Sequence, residues 1–168
     1  MVEKDTVFSS KIRYTGIFSF SDFYNFCYSW LKEETGLETF SETKYSEKLA
    51  GDSKTIEIIW NAHKDMTDFF RFETRLDFRI TNLTKAEINQ GGVKIQTNRG
   101  SVEMKMKGVL ARDYKGKFEM SAFKKFLRSI YEKWVIPARI DEYQGKIAQE
   151  CDEFLNQAKA YLDLEGKK

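Results

Sequence analysis

The stretch "FRFETRLDFRI", residues 70–80, decides the fold. Its even positions hold Phe70, Phe72, Thr74, Leu76, Phe78 and Ile80, and its odd ones Arg71, Glu73, Arg75, Asp77 and Arg79. Successive side chains of a strand point to opposite faces, so this run is a strand with one dry side and one wet side. A sheet buried on both faces would read as continuous Val, Ile and Leu. The dry side needs a cover, and the rest of the chain must supply it.

The same period of two extends outward in both directions. Before it, Ile56, Ile58, Trp60 and Ala62 line one face of a strand, and Tyr45 and Leu49 alternate with Lys44 and Lys48 in another. "GDS" makes the turn between them, and "DMTD" the turn into the opening stretch. After it, "TKAEI", "GVKIQT" and "SVEMKMKGVLA" read as three further strands separated by "NQGG" and "NRG". Connections this short force antiparallel neighbours. In the last, Val102, Met104 and Met106 oppose Glu103, Lys105 and Lys107, and Gly108 is expected to mark a bulge.

Residues 7–18 form an expected first strand. Ser21 then caps a helix in "SDFYNFCYSWLKEETG", with Phe23, Phe26, Cys27, Trp30 and Leu31 recurring at three and four, and Gly36 closing it. Beyond residue 117 the period becomes helical. Met120, Phe123, Phe126, Leu127, Ile130, Tyr131 and Trp134 form one stripe; Pro137 kinks or divides the helix. Ile140, Tyr143, Ile147, Cys151, Phe154, Ala158 and Tyr161 form the next.

These helical regions are the apolar surfaces left to roof the sheet. A helix over residues 138–162 is about 37 Å long, and a six-stranded sheet about 29 Å wide. The expected fold is therefore α+β. An antiparallel β-meander of about six strands carries a helix after its first strand, and a long C-terminal helical region covers one face. The chain reads as a single domain over residues 1–168, since no Pro-, Gly- or Ser-rich stretch and no repeat interrupts it.

Composition removes several classes. Charged residues are 32% and aromatics 15% of 168 residues, which fits neither a disordered tail nor a membrane span. The start lacks a secretory leader, and Cys27 and Cys151 fall at apolar helix positions, so a cytoplasmic protein with buried thiols is expected. His63, the sole histidine, shares a strand face with Glu57 and Asn61 rather than with the core. No HExxH, CxxC or GxxxxGK[ST] pattern occurs, and paired carboxylates such as Asp141-Glu142 lie on polar helix faces. The reading assigns no catalytic residue, cofactor or metal.

Charge is unevenly placed. Residues 94–128 hold ten bases against three acids, a net of +7, whereas residues 141–165 hold seven acids against two bases, a net of −5. The odd row of the opening stretch alternates in sign. That favours a solvated, salt-bridged face over a groove for phosphates, and nucleic acid is the least favoured partner. The last stripe steps at an average of 3.5 residues, the spacing of a coiled-coil seam.

The runs "GIFSFSDFYNFCYSWLKEETG", "TNRGSVEMKMKGVL", "FLRSIYEKW" and "DEFLNQAKAYLDLEGKK" resemble an uncharacterised family of small cytosolic α+β proteins of archaeal type. The resemblance spans nearly the whole chain and assigns no catalytic or binding residue. In architecture alone the reading is similar to helix-grip domains, with one helix after the first strand where those commonly have two. Two roles follow as expectations. The first is a non-catalytic interaction module, self-associating as a homodimer or binding a protein through Ile140, Ile147, Phe154 and Tyr161 of the C-terminal helix. The alternative is a carrier of a small apolar ligand in a cavity lined by Trp60, Phe70, Phe72, Phe78, Met104, Met106, Tyr143 and Phe154. No membrane insertion is expected under either.

Overall fold

The computed structural model describes residues 3–37, 39–112, 122–130, 133 and 137–167. Five strands, β1 (Glu3–Phe18), β2 (Thr39–Ala50), β3 (Ser53–Asp65), β4 (Phe70–Gln90) and β5 (Val93–Arg112), form one antiparallel sheet in the order β1-β5-β4-β3-β2. Helix α1 (Phe20–Glu33) follows β1, and α2 (Ala122–Ile130) and α3 (Pro137–Glu165) follow β5.

Five strands stand where about six were expected: the seven alternating segments join into five because two expected breaks lie inside continuous strands. β4 runs on through Asn82, whose φ of 54° is the left-handed region, and a bulge there shifts the register between Thr81 and Thr84. Gly100 faces that bulge. A Cβ on it would stand 3.1 Å from the Thr81 carbonyl oxygen and 3.2 Å from Leu83 Cα, so "NRG" is an in-strand accommodation and not a turn. The true hairpin turn is Gly91-Gly92, both at positive φ, as a tight two-residue connection requires.

The bulge expected at Gly108 lies instead on the neighbouring strand, between Thr6 and Phe8 of β1. Gly108 has another use. A Cβ there would meet Cys151 Sγ at 2.8 Å and Ile147 Cγ2 at 3.1 Å, so the missing side chain is what lets α3 lie close on β5.

The helix cap also moves. Ser19, not Ser21, is the N-cap of α1, its hydroxyl accepting from the Asp22 amide at 3.4 Å. The helix begins at Phe20, which places Ser21 inside its first turn. At the turn before β4, the Thr67 hydroxyl accepts from the amides of Phe69 and Phe70 at 3.1 and 3.0 Å.

Two helices share the roof. α3 packs on β1 and β5 and buries Ile147, Cys151, Phe154, Leu155, Ala158 and Leu162. α1 covers the other half: Phe23 meets Phe78 at 6.3 Å between ring centroids, Tyr24 meets Trp60 at 5.1 Å, and Tyr28 meets Phe40 at 4.9 Å. Each large apolar side chain so enclosed contributes roughly 1.5–3 kcal/mol.

At one end of the interior, Lys64 of β3 reaches Glu150 of α3 at 3.2 Å and donates to the Thr35 carbonyl. This pair ties roof to sheet where the roof ends. Of the expected core stripe on α2, Phe126, Leu127 and Ile130 are exposed and so stand outside the roof, while the Phe123 side chain lies outside the described ones. Met120, Tyr131 and Trp134 of that stripe lie outside the described residues.

Candidate functional site

Three surfaces compete for a role: the interior between sheet and helices, the outer face of the sheet, and α2.

The interior gathers all eight expected lining residues. Trp60, Phe70, Phe72, Phe78, Met104, Met106 and Phe154 are buried, and Tyr143 is half-buried. They touch one another and the helices. Trp60 and Phe78 lie 4.7 Å apart between centroids, Phe70 and Tyr143 5.1 Å, and Trp30 and Phe154 5.4 Å. Rings at such distances are in packing contact, which is the arrangement of a core. Thr74, at the polar position of the dry row, is reconciled to burial by donating to the Lys107 carbonyl at 2.9 Å.

Polar contacts border this core. Glu42 accepts from the Tyr24 hydroxyl and, at 3.0 Å, from Trp60 Nε1. Burial, followed by the Glu42 carboxylate, pushes the Tyr24 phenol up to about 12. A neutral phenol held this way orients Glu42 and supplies no nucleophile. The Cys27 and Cys151 thiols are free and buried, and burial pushes both up, Cys151 to about 12. Thiols so held are not poised as thiolates.

The expected self-association residues are placed differently from one another. Ile147 and Phe154 are fully buried against the sheet, whereas Ile140 and Tyr161 are half-buried, with Tyr161 stacked on Phe26 at 4.5 Å. The 3.5-residue seam is turned onto its own sheet. A second copy could not reach it while the helix stays in place.

The outer face carries the odd row as expected. Arg75 and Arg79 are exposed, and Arg71 is half-buried at 2.7 Å from Asp65. Arg75 pairs with Asp77 at 2.9 Å, Lys4 with Glu73 at 3.0 Å, Arg13 with Glu103 at 3.3 Å, and Lys44 with Glu57 at 2.6 Å. Lys44 holds the Glu57 carboxyl below its ordinary value.

Open depressions on this face include one of about 370 Å³, a second of about 380 Å³ lined by Ser9, Arg75, Asp77, Lys105 and Lys107, and one of about 430 Å³ beside Lys4, Asn61 and Glu73. Lys11 stands directly opposite Lys105, and Arg75 opposite Lys107. Tyr14 lines the first depression, and no aromatic side chain lines the second, which therefore offers no base-stacking platform. His63 sits on this face opposite Glu73, with its Nδ1 buried and without a hydrogen-bond partner. Among the described residues no group of three or more His, Cys, Asp or Glu could hold a metal ion.

α2 is the third surface. Phe126 is 60% exposed, Leu127 39% and Ile130 38%. On a helical period these three fall within an arc of about 100°, one face of the helix. The sequence around them is basic, with Lys124, Lys125, Arg128 and Lys133 against Glu132 over residues 122–134. Sequence reasoning had counted this stripe as roof, because periodicity reports that a face is apolar without reporting what covers it.

No family model, curated protein or solved structure matches the chain.

Proposed function

We propose that this chain is a non-catalytic interaction module and that α2 is its docking element, in place of the C-terminal seam. The observation supporting this is the exposure of Phe126, Leu127 and Ile130 on one helical face, while the α3 stripe is occupied by its own sheet. Large apolar side chains gathered on a solvent-facing helix mark a surface that another body covers. The sheet and its roof are then the scaffold that presents α2.

Site-specific photocrosslinking in the cells that make the protein tests this. A benzophenone side chain at position 126 or 130 is expected to form adducts, and one at position 152, on the exposed face of α3, is not. Equal labelling at all three, or none at 126 and 130, would overturn the reading. A carrier role is favoured by the gathering of eight apolar residues between sheet and helices, but it needs their ring contacts to part. An unchanged melting temperature across a panel of fatty acids and isoprenoids would set it aside.

A further inference from the structure

We infer that the body α2 docks on is an anionic lipid surface, with the helix lying in the bilayer interface. The inference rests on α2 being the docking element and names its partner. Three observations converge on lipid.

The first is composition. The described face presents Phe126, Leu127 and Ile130, and Lys125 on the same helix is exposed. Over residues 122–134 the four bases outnumber the one acid, a net of +3. An apolar face flanked by Lys and Arg is the pattern of a helix that lies on anionic headgroups.

The second is size. α2 has nine residues and is therefore about 13.5 Å long. One face of such a helix covers an area on the order of 150 Å², far short of the roughly 600 Å² that each partner of a stable protein pair buries. A bilayer accepts a small footprint, because the apolar side chains enter acyl chains and the bases meet headgroups all round them.

The third is that α3 of a second copy offers no matching receptor. The exposed positions of α3 are chiefly polar or acidic, including Asp141, Glu142, Asp152, Glu153 and Asp163, with Leu164 the large apolar exception. They could attract the bases of α2 but offer no apolar stripe for Phe126, Leu127 and Ile130. Two α2 helices facing each other would set like charge against like. The helix lies on the membrane and does not cross it: among the described residues no helix is long and apolar enough to span.

The test is cosedimentation of the full chain with vesicles of one part phosphatidylglycerol to three parts phosphatidylcholine, against pure phosphatidylcholine. Binding is expected to the anionic vesicles alone and to weaken with added salt. F126D is expected to reduce partitioning by at least about tenfold, since it replaces the most exposed of the three apolar groups on α2 by an acid. K125E should reduce it several-fold. K105E, which makes the same change of charge on the outer sheet face, should leave it unaltered, separating a local site from overall charge.

All three positions are exposed, and an unchanged melting temperature verifies that each variant folds. Equal loss with K105E, or no binding by the parent chain, would overturn the inference. If the parent ignores vesicles but sediments as a concentration-dependent dimer that F126D disrupts, lipid is the wrong partner and the docking role of α2 stands. If neither is seen and position 126 gives no photoadduct, both readings fall together.

Discussion

Tyr24, Tyr45 and Tyr161 show how single side chains register their neighbours. Burial is the leading cause that pushes each phenol up to about 12; Glu42, Glu47 and Glu165 respectively add to it. A phenol raised above its unfolded value of 10.0 favours the folded state while it is neutral. That contribution is complete below pH 10 and is lost as pH climbs towards 12. Spectrophotometric titration should therefore resolve a late group among the eight tyrosines, with stability to urea falling over the same interval. One common midpoint near 10 would contradict this. None of these partners was legible beforehand. The alternation of residues 70–80 was legible, because which way a strand side chain points is a property of one strand. The fit of Gly100 to a bulge in β4, and of Gly108 to Cys151, depends on atoms 17 to 43 residues away.

Among the elements, α3 owes its seat to Gly108. Adding one methyl group there drives it to 2.8 Å from Cys151 Sγ, so G108A should destabilise by about 1–3 kcal/mol, the usual range for overpacking. Trimming the obstacle should restore part of the loss. C151A loses core packing on its own, yet G108A/C151A should cost less than the sum of the two, leaving Ile147 Cγ2 at 3.1 Å as the residual clash. Additive effects in urea denaturation would show that helix and strand do not meet as described. Element types and their order were readable from periodicity, including a sheet with one wet side. Periodicity could not apportion the roof. The stripes at 120–134 and 140–161 look equally apolar, but Phe126, Leu127 and Ile130 stand open while Ile147 and Phe154 are enclosed. Both leading site expectations were built on α3 and the interior, and so missed the surface that the fold leaves uncovered.

For the molecule as a whole, protection should be graded from the centre of the sheet outward. β3, β4 and the second half of β5 alternate buried and open positions under both helices, whereas residues 84–98 of the β4–β5 hairpin are largely exposed. Amide hydrogen exchange should be slowest around Trp60, Leu76, Phe78 and Met104 and fastest near Gly91-Gly92. Uniform protection along β4 would argue against a hairpin that extends past its cover. The placement of β1 carries a consequence for how the protein is made. Among the described residues its sole strand neighbour is β5, so Lys11 must wait for Lys105 before its backbone groups find partners. At a synthesis rate of about 5–20 residues per second, that is roughly 5–20 s on the ribosome with the opening strand unmatched. The nascent chain must hold its first sixteen-residue strand in reserve, soluble and uncommitted, until nearly two-thirds of the polypeptide has emerged.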